Sequence, residues 1–109
     1  MDIKTAQFTI GQLVCHNEQP LRGVILDVDA EFSSTEELWQ SVPEEERPAR
    51  DQPFYRLLAE DDSAAYLAYV SEQNLQIDES GEPLQNPQVA EMFGEFLGDS
   101  YAKPYRYLN

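Results

Sequence analysis

Catalytic and metal-binding side chains are scarce in this sequence. It has one cysteine, Cys15, and one histidine, His16, and the two are adjacent. A lone cysteine excludes an intramolecular disulfide, and a reducing compartment is the simplest reading. Structural zinc needs several Cys and His ligands, more than this pair supplies. Neighbours on a strand face opposite sides, so Cys15 and His16 do not form a thiol–imidazole dyad. Cys15 reads as a small core residue and His16 as a strand-end residue bonded to a nearby loop. The five glycines are scattered and build no phosphate-binding loop, and no nucleophile-elbow motif occurs. No run approaches the roughly 18 apolar residues of a membrane helix. Met1-Asp2-Ile3-Lys4-Thr5 lacks the apolar stretch of a signal peptide. The expectation is a cytoplasmic chain with no catalytic residues, no cofactor and no metal.

Positive charge is scarce too. Lys plus Arg is 7 against 21 Asp plus Glu, a formal net charge of -14. Such a field repels polyanions and anionic membrane surfaces. It disfavours DNA, whose binding draws on Lys and Arg displacing counterions. It favours basic partners, or partners met through apolar and hydrogen-bonded contacts. Acids this numerous form neighbouring pairs by chance. Glu60-Asp61-Asp62 and Glu44-Glu45-Glu46 read as solvated charge, and no EF-hand spacing is present. Asp27 and Asp29 stand out, because two residues apart on one strand they share a face and can cap loop amides or meet a partner.

What is present is enough for one modest core. In 109 residues, 41% hydrophobic and 11% aromatic content sets the chain apart from a disordered tail and supports a single domain. Gln7 to His16 alternates loosely and breaks at Gly11, which permits a turn or bulge. In Arg22 to Asp29, Val24, Leu26 and Val28 point one way and Gly23, Ile25, Asp27 and Asp29 the other. Ser34 and Glu37 have capping-box spacing at the start of a short helix that Pro43 ends. Residues 43–53, with three prolines, read as a long mobile loop over one end of the fold. Residues 54–60 and 65–70 form a hairpin with Asp61-Asp62-Ser63 at its tip. Ser71-Glu72-Gln73-Asn74 reads as a 3₁₀ turn and Leu75-Gln76-Ile77-Asp78 as a last strand. Asn86 caps a helix with Pro87 at its first position, and Val89, Met92, Phe93, Phe96 and Leu97 form its stripe up to a Gly98 cap. The aromatic tail from Tyr101 packs back. Most aromatics are core, with Trp39 and Tyr55 partly exposed. The expected class is mainly β: a small barrel of about five short strands, with a short helix in a loop and one C-terminal helix. The barrel spans about 7–78, the C-terminal helix and tail about 86–109.

Four blocks then resemble a known family. They are Phe8-x-Ile10-Gly11-Gln12-x-Val14-x-His16, Arg22-Gly23-Val24-Ile25-x-Asp27-Val28-Asp29, Gln52-Pro53-Phe54-Tyr55-x-x-Leu58 and Tyr69-Val70-x-Glu72-Gln73-Asn74-Leu75. In this order they resemble the heat-shock protein HspQ family, also called the YccV-like or hemimethylated-DNA-binding domain. The ending Asn86-Pro87-x-Val89-x-x-x-Phe93-x-x-Phe96 is similar as well. The resemblance implies an SH3-like barrel without enzymatic activity. It implies a role in heat stress and in degradation of unstable or denatured proteins, including the replication initiator DnaA, with the Lon protease as partner. It also implies binding of hemimethylated DNA, which the charge balance disfavours here. The barrel rim and the 43–53 loop are expected to meet protease or client. Arg22, Asp27, Asp29, Tyr55, Glu72 and Asn74 are the expected contact residues. An open sheet edge would also allow a homo-oligomer.

Overall fold

The structure is a computed structural model and describes residues 6–33 and 35–103. Five strands form one antiparallel sheet: β1 Leu13–His16, β2 Arg22–Asp29, β3 Phe54–Glu60, β4 Ala65–Ser71 and β5 Leu75–Ile77. Their order is β4-β3-β2-β1-β5. Helix α1 (Glu36–Ser41) lies in the β2–β3 connection, and α2 (Gln88–Met92) follows the sheet. The fold is mainly β, as the alternation and turn signals indicate. The sheet is not closed: among the described residues no ladder joins β4 to β5, so both are edges.

Both faces of the sheet are buried at its centre. Leu13, Val24 and Leu58, register partners across three strands, pack with Leu84, Val89, Phe93 and Tyr101. Val14, Ile25, Leu57 and Tyr55 pack on the other face with Phe8, Leu21 and Leu75. The sequence after the sheet therefore serves as the cover of one face.

Strand β2 does not keep a single alternation. Its register against β3 shifts between Ile25, opposite Leu57, and Asp27, opposite Arg56. Leu26 is the extra residue of a β-bulge, and the phase flips there. Val28 consequently joins Ile25 on the Tyr55 face, while Leu26 packs on the opposite cluster. Asp27 and Asp29 leave the face of Ile25 and lie with Arg56. They do share a face, but not the one that strict alternation assigns. The same flip sets Tyr55 opposite Val28 in the core, fully buried rather than partly exposed.

Local signals explain most boundaries. Nδ1 of His16 accepts from the backbone N–H groups of Glu18 and Gln19, at 3.0 and 3.1 Å, and shapes the β1–β2 turn. Cys15 is half-buried on β1, not in the core. The Asp61 carboxylate accepts from the N–H groups of Ser63 and Ala64 at the β3–β4 tip. Thr35 caps α1, its hydroxyl accepting from Leu38 N–H at 3.1 Å; Ser34 lies outside the described residues. Asn86 Oδ1 accepts from Gln88 N–H, and Pro87 has helical φ and ψ. The 43–53 segment holds a 3₁₀ turn at Glu44–Glu46, and Arg47 bonds the carbonyls of Val42 and Gln40.

Helix α2 stops at Met92, well short of Gly98. Phe93 is extended, and residues 94–102 double back as a hairpin turning at Gly98, whose φ is +100°. Gly98 thus serves a turn instead of a helix cap, and Leu97 is exposed. The cause is tertiary. Tyr101 N–H donates to Gly11 C=O at 2.7 Å and Gln12 bridges Ser100, so the chain must return to the start of β1. Pairing and burial of Tyr101 outweigh helix propensity, weakened already by Gly94.

Gly11 makes this return feasible. Its φ is +94°, and a Cβ there would sit 2.7 Å from the Tyr101 carbonyl oxygen. Gly11→Ala should therefore destabilise the fold by about 2 kcal/mol, from strained φ plus the clash. Urea unfolding measures this, and a midpoint equal to wild type would refute the role given to Gly11.

Candidate functional site

A trench of about 810 Å³ runs along the outer edge of β4. Its far wall is an aromatic chain from the β2–β3 connection. Trp39 meets Phe32 edge-on at 5.0 Å, Phe32 meets Phe54 at 5.3 Å, and Phe54 stacks on Tyr69 of β4 at 5.3 Å. The Arg50 guanidinium lies 4.2 Å above the Trp39 ring and pairs with Glu36 at 2.6 Å, so α1 is fixed to the same wall.

One carboxylate joins this wall to the sheet. Oδ2 of Asp29 accepts from the Ser33 hydroxyl at 2.6 Å, the Tyr69 hydroxyl at 2.8 Å and Arg56 at 3.0 Å. The Tyr69 oxygen in turn accepts from Ser33 N–H at 3.2 Å. The Ser33 hydrogen bond, then those of Tyr69 and Arg56, hold the Asp29 carboxyl below its ordinary pKa, against an upward push from burial. Arg56 also faces Asp27 at 3.7 Å and lies over the Tyr69 ring at 4.9 Å.

Of the six expected contact residues, the structure brings together Asp27 and Asp29 around Arg56. Arg22 lies elsewhere. Its guanidinium holds residues 78–83 through Asp78 at 2.6 Å, the Ser80 hydroxyl and the carbonyls of Glu82 and Pro83. Burial pushes the Asp78 carboxyl up, but the bonds from Ser80 and Arg22 outweigh it and hold the pKa low. Tyr55 has no exposed surface; its hydroxyl donates to Glu72 at 2.6 Å, and burial followed by that carboxylate pushes its pKa up to about 12. Glu72 also accepts from Gln7 N–H. Asn74 lines the trench and accepts from Asn17 N–H through its carbonyl. Phe32, Arg50, Leu67 and Ser71 escaped the sequence reading. The available signal was that Ala65–Ser71 carries neither charge nor proline.

A smaller groove of about 530 Å³ lies on the other side of Arg56 and is lined by Ile10, Leu26, Met92, Phe93 and Lys103. Among the described residues no group of three or more His, Cys, Asp or Glu is placed to hold a metal ion, and no helix is long and apolar enough to cross a membrane.

Residues 6–100 of the 109 match the family described as hemimethylated DNA-binding protein YccV-like. The chain belongs to that family. No solved structure matches it. The YccV-like match takes in all five strands and both helices, and the trench and Asp29 fall inside it.

Asp29→Asn keeps the shape but weakens three hydrogen bonds to a charged acceptor. It should cost about 1–2 kcal/mol at neutral pH. A carboxylate whose folded pKa is depressed contributes stability above its unfolded value of about 4, and this is lost as pH falls through the folded value. The wild-type urea midpoint should thus drop more than that of Asp29→Asn from about pH 5 to about pH 3. Parallel curves would show that Asp29 carries no such linkage.

Proposed function

We propose that this YccV-like protein is a non-enzymatic, HspQ-like heat-shock protein of the cytoplasm. It promotes degradation of unstable or denatured proteins, such as DnaA, as an adaptor or modulator of the Lon protease. The observation that carries this reading is where the few positive charges go. Arg22, Arg50 and Arg56 are held in ion pairs with carboxylates, and Arg47 is bonded to loop carbonyls. The chain carries a large excess of carboxylates, and the trench is walled by aromatic and aliphatic side chains interleaved with polar ones such as Gln19, Gln73 and Asn74. Mixed apolar and hydrogen-bonding walls under an acidic field suit exposed polypeptide better than a phosphate backbone. Family membership supports a binding role over a catalytic one.

A second reading rests on the family description itself and on the smaller groove. Arg56 and Lys103 stand there with Asp27 beside Ile10 and Phe93, and the two cations and the apolar surface are what would meet a hemimethylated duplex.

Two measurements separate these readings. Degradation of a denatured client by purified Lon, with and without this protein, should speed up several-fold on its addition. Unchanged turnover across several clients would count heavily against the proteolysis reading. Anisotropy of a labelled hemimethylated duplex should show little binding even at low salt. Tight binding with a steep salt slope, weakened by Arg56→Gln and Lys103→Gln and sensitive to methylation state, would favour the second reading instead.

A further inference from the structure

We propose that the trench takes an extended peptide segment, apolar and carrying Lys or Arg, which adds to the sheet as a strand beside β4. The inference names the client site of the proteolysis reading and rests on that reading. Its physical basis is separate.

The trench follows the strand edge. Five consecutive residues, 67–71, line it. Successive strand residues face opposite sides, so a cavity touching all of them lies along the edge itself and not over one face. β4 pairs only with β3 among the described residues. Among the described residues, no backbone N–H or C=O of Ala65–Val70 bonds to any other part of the chain. Strand addition supplies partners for such groups.

The edge is also unguarded. Proteins usually blunt a free edge with Lys, Pro, a bulge or shortness. β5, the other edge, is three residues long. β4 runs for seven residues without charge, proline or register shift. Leu67 is 64% exposed on it, and Leu38 on the opposing wall is 44% exposed. Ser71 adds an independent sign. The residue is 2% exposed and lines the trench, and its hydroxyl is the one buried side-chain polar atom among the described residues with no hydrogen-bond partner. At about 3.3 Å per residue, five strand residues span about 16 Å and match a peptide of about five residues.

Charge selects the occupant. Glu18 and Glu45 stand on the trench, while the Arg47 guanidinium is turned onto loop carbonyls. With a net charge of -14 on the whole chain, a second copy or an acidic segment is repelled and a basic one attracted.

The test uses the full chain and three labelled ten-residue peptides. One alternates valine or isoleucine with lysine. The second replaces each lysine by glutamate. The third keeps the lysines but is N-methylated at alternate backbone nitrogens. Anisotropy should show saturable binding of the first, and at least tenfold weaker binding of the other two. Leu67→Lys and Leu38→Lys, at exposed positions, should each weaken the first peptide at least tenfold with an unchanged circular dichroism spectrum and melting temperature. No binding of the first peptide at millimolar concentration, equal binding of the N-methylated one, or indifference to both substitutions would overturn the proposal. So would a concentration-dependent dimer that Leu67→Lys abolishes, since the occupant would then be a second copy. Peptide binding without any effect on Lon turnover would support the trench while sinking the proteolysis reading. Faster turnover without peptide binding would do the reverse.

Discussion

The bulge at Leu26 is the constraint on which the arrangement of this molecule depends. Without it, Asp27 and Asp29 would follow Ile25 onto the face that holds Val14, Leu57 and Tyr55. Ionised carboxylates on that face would lack partners, at a cost of several kcal/mol each. One extra residue exchanges them for Val28. The core gains an aliphatic side chain, and both carboxylates come to lie around Arg56. The local backbone irregularity thus fixes burial and charge placement together.

From that exchange the β2–β3 connection acquires its anchor. A segment of over twenty residues with a single short helix has little core of its own. It stays against the sheet through Ser33, which bonds to Asp29 and Tyr69, through Phe32 packed on Phe54 and Tyr69, and through Gln52, whose side chain bonds to Gln73 at 2.6 Å. The described arginines follow one logic. Arg22 fastens residues 78–83, Arg50 fastens α1, and Arg56 fastens the entry to the connection. Each guanidinium works as a multi-donor clamp, so with Arg47 four of the seven Lys and Arg of this acidic chain hold irregular segments.

What the sequence disclosed and what it concealed divide along the range of the forces involved. The β3–β4 hairpin, its Asp61 tip, the 3₁₀ turn at Glu72–Asn74 and the short strand after it were all readable, because neighbouring residues set them. So was the role of His16 at the end of β1. The bulge was concealed, since Val-Ile-Leu-Asp-Val-Asp fits either phase until β3 imposes its register. The end of α2 was concealed for the same reason. The stripe Val89, Met92, Phe93, Phe96 and Leu97 is helical in spacing, yet Tyr101 must reach Gly11. The Asp27–Asp29 pair could be singled out by type and spacing. Its partners Ser33, Arg56 and Tyr69, 4, 27 and 40 residues away from Asp29, could not.

The free β4 edge and the excess of carboxylates are best understood together. A seven-residue apolar edge invites pairing between copies, and aggregation is its usual consequence. Guarding the edge with a lysine or a proline would remove that hazard and close the trench to every partner. Net charge acts differently. It repels identical molecules over a Debye length of about 8 Å at physiological salt, but leaves the edge chemically open. Two copies at -14 each meet a barrier that a neutral or basic segment does not. An acidic surface of this kind discriminates by partner charge, where a blocked edge would exclude all comers. On the reading proposed above, the same carboxylates that oppose a phosphate backbone also oppose pairing between copies along the exposed β4 edge.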